Sequence, residues 1–222
     1  FQNYTLLASG ITRDFVSLVK DTLYYVFPEI AVRKVALTPV EWKLQNEVIR
    51  VKSAVHYRDF SNVTHPEEVK ALIDALGAVF RRILDLTSRR YEREIAGGKM
   101  TESECWDRMR QVSRIHVPDY AELSDGMKRS LKESVQAQLL QLPLLPRDPQ
   151  LRGESTWSSY MFHRLLCPFF KLTLSDRHPR RIRAAVLNGA TSSPRQFVEG
   201  LTASLERLAD TDEGEYGEPD DQ

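Results

Sequence analysis

The sequence of 222 residues contains few cysteines and no long hydrophobic run, and both absences restrict the class of protein. Cys105 and Cys167 are far apart, each in an apolar neighbourhood, so we expect buried thiols in a reducing compartment and no disulfide framework. No apolar run approaches the roughly 20 residues that span a bilayer, and no signal-peptide pattern occurs. The composition therefore predicts a cytoplasmic chain with no membrane partner.

Motifs that carry catalytic chemistry are also missing. The sequence has no G-x-x-x-x-G-K-[ST] phosphate loop, no H-E-x-x-H or paired-cysteine metal motif and no G-x-S-x-G nucleophile elbow. Arg110 and His116 are six residues apart across a predicted helix end, which disfavours a helical Arg/His nuclease site. His56 and His163 are interpreted as structural residues. We therefore assign no catalytic residue and no metal ligand.

Charges of the two signs balance, with 31 residues each, but they are unevenly distributed. The segment 210–222 holds seven acidic residues and no lysine or arginine, which leaves 31 basic against 24 acidic residues elsewhere. An acidic end that contains glycine and proline is typical of a disordered, solubilising tail. The alternative is that this tail masks a basic surface, which its deletion would test.

The sequence is rich in amphipathic segments that begin with helix-start signals. Capping boxes at Thr38, Thr64, Thr101 and Ser193 each precede apolar residues at helical spacing. Two further segments predict helices over 11–26 and, after a capping Ser124, over 125–141. In the helix after Thr38, the predicted apolar face consists of Val40, Leu44, Val48, Val51 and Val55. Short loops between these segments favour an antiparallel helical body.

The pattern changes after Leu142, where three prolines fall within 143–149. Residues 160–174 predict two short strands or a helix followed by a strand, and 180–187 is prone to β structure in its second half. We therefore predict a mainly α fold, in which a helical bundle (1–121) is followed by a small winged-helix-like α+β module (122–209). The acidic tail (210–222) completes the chain.

Two groups of basic residues are candidate nucleic-acid contacts. The first, at the C-terminal end of the long helix after Thr64, is explained by compensation of the helix dipole. The second group lies in a predicted turn and consists of Arg177, Arg180, Arg181 and Arg183. In a winged-helix-like module this turn would be the wing that touches DNA phosphates. A solvated loop is the alternative, and the neutral net charge disfavours strong non-specific binding.

The segment Ser9-Gly10-Ile11-Thr12-Arg13-Asp14-Phe15 combines a small-Gly turn with an arginine in the first turn of a predicted helix. This geometry directs a guanidinium over the helix N-terminus, where a phosphate group would bind. The alternative is an ordinary helix start with a solvated arginine. A second motif, Y-x-x-x-R-x-L-x-P, runs from Tyr160 to Pro168.

Taken together, the two motifs resemble the C-terminal part of bacterial AAA+ ATPases similar to the origin-recognition ATPases. In that group a helical lid opened by a second sensor motif precedes further helices and a winged-helix-like end. The resemblance covers 9–27 and 160–187 directly. It implies that Gly10 and Arg13 sense nucleotide, with Arg13 reaching the γ-phosphate of ATP. The phosphate loop and the acidic metal-binding motif of that group are absent from this sequence, so ATP and Mg would be held by a preceding domain.

The resemblance implies a regulatory and recognition region that couples ATP state to partner binding and does not hydrolyse ATP alone. The expected partners are a preceding ATPase core domain and either DNA, a protein or a second copy of the chain. Two other classes remain open: a helical protein-interaction subunit without nucleotide dependence, and an effector nuclease whose site assembles from distant residues. A chain that begins at Phe1 is expected to be part of a longer protein, and the upstream coding sequence would separate these readings.

Overall fold

The computed structural model describes residues 12–26, 41–58, 63–101, 114–142, 158–172 and 180–210. The α-helices within these residues are α1 (Thr12–Val26), α2 (Trp42–Arg58), α3 (Pro66–Ala96), α4 (Asp125–Gln136), α5 (Ala184–Leu187) and α6 (Pro194–Asp210). The strands are β1 (Arg114–His116), β2 (Leu140–Gln141), β3 (Ser159–Phe162) and β4 (Arg180–Arg181). Two 3₁₀ turns complete the list, the Tyr120–Glu122 turn and the Arg164–Leu166 turn.

Helices α1 and α2 pack against each other, and we call this pair the α1–α2 hairpin. Leu18 of α1 and Ile49 of α2 form a small core together with Leu165. The predicted apolar face of α2 is wrong in part, because Val51 and Val55 are 58% and 54% exposed whereas Ser53 and Tyr57 are buried. The pattern of valines alone does not select this face, since α2 lies against a segment that presents backbone polar groups as well as apolar side chains.

The long helix α3 confirms the strongest amphipathic stripe in the sequence and forms the centre of the main core. Its buried side includes Leu72, Leu76 and Phe80, and it packs along α6. The cap predicted at Thr64 is wrong, because the helix begins at Pro66 and its N-cap residue is His65, which makes no side-chain capping bond. The backbone N–H and the ring of His65 pair with the carboxylate of Glu133 on α4 instead.

The strands form one small mixed sheet in the order β2-β3-β1-β4. The pairs β2–β3 and β3–β1 are antiparallel, and β4 is parallel to β1. Alternation along β3 buries Tyr160 and Phe162, and Phe162 meets Phe80 of α3 edge to face at 4.9 Å. The sheet is thereby anchored on the long helix.

Three predictions in the second half of the chain require correction. Helix α4 ends at Gln136, not at 141, because Gln138 takes a positive φ of 58° and Leu140 pairs with Phe162. Residues 159–172 form a strand followed by a 3₁₀ turn, which is neither of the predicted orders. Ala184–Leu187 is a short helix, although this half of 180–187 was expected to be β structure.

The fold class is confirmed: the chain is mainly α, with a small α+β module. The main hydrophobic core contains residues from both predicted segments, from Tyr57 through Ile115 to Leu201. The division into 1–121, 122–209 and 210–222 stays a prediction. No helix among the described residues is both long and apolar enough to cross a membrane.

Candidate nucleic-acid interface

The predicted site residues fall in three places in the fold. Arg13 lies in the first turn of α1, while its side chain and Gly10 are outside the described part of the chain. Arg177 is also outside the described residues, so its predicted role is untested. Arg180 and Arg181 form β4, and Arg183 occupies the N-cap position of α5. The turn predicted for this basic run is therefore a strand at residues 180 and 181.

Pairing with β1 turns two of these arginines outward. The backbone N–H of Ile182 donates to the carbonyl of His116 at 2.9 Å, and the Ile182 side chain is buried. Successive side chains of an extended segment point to opposite faces, so Arg181 and Arg183 share the other face, and both are exposed. This edge of the sheet therefore presents two guanidinium groups to solvent.

His116 lies beside this edge and is held by its neighbours. Its Nδ1 is 2.9 Å from the hydroxyl oxygen of Ser159 on β3. Burial lowers the pKa of His116, and the nearby positive charge of Arg181 lowers it further. Both effects favour the neutral imidazole, so His116 adds no charge to the edge near neutral pH.

Two side chains attach the basic segment to the start of α4. The carboxylate of Asp119 accepts a hydrogen bond from the backbone N–H of Ala184 at 2.8 Å. The side-chain oxygen of Asn188 accepts one from the N–H of Ser124 at 3.0 Å. Ser124 is also the N-cap of α4, as predicted, because its hydroxyl accepts from the N–H of Met127. Arg183 is therefore fixed next to the turn that opens α4.

The outer face of α4 carries further cations. Arg129 and Lys132 are exposed, three residues apart, while Met127 and Leu131 are buried on the opposite side. The ammonium of Lys128 donates to the carbonyl of Ala121 at 2.9 Å. The sequence interpretation missed these residues, although helical spacing from the buried Met127 would have placed Arg129 and Lys132 on the exposed face. We call Lys128, Arg129 and Lys132 the α4 cations.

The arginines near the end of α3 have partners on their own helix. Arg81 pairs with Asp85, and Arg90 pairs with Glu94, each at 2.8 Å and four residues apart. These ion pairs, in addition to the helix dipole, account for much of this basic group. Within the described ranges, no cluster of three His, Cys, Asp or Glu residues could hold a metal. Cys167 is a buried thiol, as predicted, and Cys105 lies outside those ranges.

Comparison with known proteins identifies the class to which this arrangement belongs. The chain matches the family described as ORC-CDC6-like over residues 1–182. The match covers most of the chain, so the protein belongs to the ORC-CDC6-like family, and the resemblance to origin-recognition AAA+ ATPases is confirmed. No curated protein and no solved structure matches the chain.

Proposed function

We propose that this chain is the C-terminal regulatory and recognition region of an AAA+ ATPase, and that it couples ATP state to the binding of duplex DNA. Family membership supports the AAA+ part of the proposal. ATP and Mg would be held by a preceding ATPase core domain, with Arg13 at the start of α1 as the sensor and Gly10 forming the turn before it. Because the sequence contains no phosphate loop, this region would not hydrolyse ATP alone.

The order of the strands is the observation that carries the DNA part of the proposal. A winged helix runs helix, strand, helix, helix, strand, strand, and its last strand lies between the other two. This chain runs α3, β1, Tyr120–Glu122 turn, α4, β2, β3, and β3 lies between β2 and β1. In such a module the helix after the tight turn is the one that reads DNA, as in helix-turn-helix proteins. That helix is α4.

The charges agree with this assignment. The α4 cations lie along the helix, and Arg181 and Arg183 flank its N-terminal end through the bonds of Asp119 and Asn188. Phosphate contacts from lysine and arginine supply most of the sequence-independent affinity for DNA. In this proposal Arg181 and Arg183 add phosphate contacts beside the N-terminal end of α4, and the wing role predicted for the run from Arg177 to Arg183 stays a prediction.

Duplex binding measured across salt concentrations tests the proposal. We expect Arg129→Ala/Lys132→Ala and Arg181→Ala/Arg183→Ala each to weaken binding by on the order of tenfold at low salt. Each pair should lower the slope of log K against log salt by about 2. The control is Lys20→Ala/Arg50→Ala, which removes the same charge from exposed positions on the α1–α2 hairpin. Equal affinity and slope in all three variants would reject α4 as the DNA-reading helix.

A protein-interaction role is the second candidate, and the exposed valines of α2 favour it. Val51 and Val55 are four residues apart, so they form a small apolar patch on one face of the helix. In this reading the hairpin binds a protein partner, and a binding-deficient Val51→Asp/Val55→Asp variant would leave duplex affinity unchanged. Loss of duplex binding in that variant would count against a separate protein-binding face.

A further inference from the structure

The segment that follows β3 lies between the α1–α2 hairpin and the rest of the molecule. We call residues 163–170, from His163 to Phe170, the joint. Leu165 of the joint is 1% exposed and belongs to the small core of Leu18 and Ile49, so the hairpin is built around a residue from outside it. Apart from α1, the Arg164–Leu166 turn is the element that packs most extensively on α2.

Ser53 attaches the joint to α2 through two hydrogen bonds. Its hydroxyl donates to the carbonyl of Leu165 at 2.5 Å and accepts from the N–H of Phe169 at 2.9 Å. Ser53 is fully buried, so water cannot replace either bond while α2 and the joint are packed together. One turn along, the ring of Tyr57 stacks on Phe169 with centroids 4.0 Å apart. Polar and aromatic contacts therefore fix α2 on the joint.

The other side of the joint is attached to the exit of α4. The N–H of His163 donates to the carbonyl of Leu139 at 3.0 Å, three residues after α4 ends. The Nε2 of His56 on α2 lies 2.9 Å from the carbonyl of Gln138, and its ring is 4.8 Å from the ring of His163. A displacement of α2 would therefore move both the joint and the residues that end α4.

The joint is also held against α3, which gives it a fixed support. Phe170 packs its ring over Gly77 and lies 5.5 Å from the ring of Phe162. Leu166 and Cys167 are buried in the main core. Packed cores respond to displacement by shifting between discrete arrangements. A rotation of the hairpin would therefore displace the joint as a unit instead of deforming it gradually.

We propose that the joint is the mechanical link by which the α1–α2 hairpin and helix α4 influence each other, with Ser53 as its positioning residue. This inference rests on the proposed function, in which α1 responds to nucleotide and α4 contacts DNA. Coupling between sites is reciprocal, so DNA bound at α4 alters the hairpin by the same free energy with which the hairpin alters DNA affinity. The link can therefore be tested from the DNA side, in this chain.

Amide hydrogen exchange of the chain, with and without a duplex of about 20 base pairs at low salt, is the test. In the absence of DNA, Ser53→Ala should raise exchange in both 42–58 and 163–170 by about tenfold, because two buried bonds are lost. The matched control is Ser134→Ala, which is equally buried but bonds within α4 to the carbonyl of Ser130. The role of the joint would be overturned if exchange in the hairpin did not change in Ser53→Ala. It would also be overturned if exchange there changed as much in Ser134→Ala.

With duplex added, the wild-type chain should show slower exchange in α1 and α2 as well as in α4, and Ser53→Ala should show it in α4 alone. If bound DNA does not slow exchange in the hairpin of the wild type, the proposal is overturned. If no duplex binds, the proposed DNA function fails, and the DNA-free experiment alone decides on the joint. Phe169→Leu provides a second variant if Ser53→Ala does not fold, because it removes the ring stack and keeps both bonds.

Discussion

Among the glycines in the described ranges, Gly77 has least room for an added side-chain atom. A methyl group there would come within 2.3 Å of the ring of Phe170, far closer than any real contact. The sequence did not indicate this, because a glycine inside a helical pattern is usually only a weak helix former. The aromatic ring that it accommodates is 93 residues away in the chain, and only the fold brings the two together.

We expect Gly77→Ala to destabilise the protein by about 1–3 kcal/mol, because overpacking outweighs the gain of roughly 1 kcal/mol in helix propensity. Urea unfolding followed by circular dichroism measures this change. Gly200→Ala on α6 is the control, since a methyl group there meets nothing within 4 Å. It should stabilise the protein by about 0.5–1 kcal/mol. If both substitutions change the free energy of unfolding in the same direction, the close packing of Phe170 on α3 is contradicted.

The pair of His65 and Glu133 connects the start of α3 with α4. Burial alone raises the pKa of the Glu133 carboxyl, but the hydrogen bonds from the side chain and backbone of His65, together with the electrostatic attraction of His65 and Arg129, leave the pKa below its usual range. A carboxyl with a lowered pKa stabilises the fold above its unfolded pKa of about 4.3. That contribution is lost as the pH falls through the folded value.

Glu133→Gln should therefore lower stability by about 1–3 kcal/mol at pH 7, because it removes a charged acceptor from a largely buried site. The difference from the wild type should shrink at pH 3, because acid moves the wild-type carboxyl towards its protonated form. Thermal unfolding at the two pH values measures both quantities. A difference that is the same at pH 3 and pH 7 would show that the charge of Glu133 does not stabilise the fold.

The sequence predicted the elements whose signals are local. Helices α1, α3 and α6 were predicted within a few residues because the apolar spacing that defines each of them lies within one segment. The end of α4 and the order of strand and turn at 159–172 were not predicted, because both depend on the pairing of β2 with β3. The exposure of the two valines of α2 was missed for a similar reason, because the joint that selects the buried face of this helix lies far along the chain.

The candidate site is a property of the whole molecule and was only partly accessible from sequence. Arg181 and Arg183 were singled out from their density, and their exposure agrees with the predicted contact role, which stays a prediction. The α4 cations were missed, because their significance depends on the strand order around them. The sensor role of Gly10 and Arg13 came from the motif and the family resemblance, and it too stays a prediction.

The acidic end of the chain affects the charge balance of the whole molecule. Removal of residues 211–222 takes away six acidic side chains and leaves α6 complete. If these charges mask the basic surface, duplex affinity at low salt should rise by a few-fold, and the effect should vanish at high salt. A full-length variant with the same acids changed to Asn or Gln is the control and should behave like the deletion. Unchanged affinity in both would leave solubility as the function of the tail.

The proposed function couples nucleotide state to DNA binding. The most direct measurement is the duplex affinity of a protein that contains this chain behind its ATPase core, with an ATP analogue and with ADP. We expect the two dissociation constants to differ by about fivefold or more, and Arg13→Ala to bring their ratio close to 1 without lowering the unfolding temperature. Equal affinities in the wild type, or an unchanged ratio in Arg13→Ala, would contradict a coupling of nucleotide to DNA binding through Arg13.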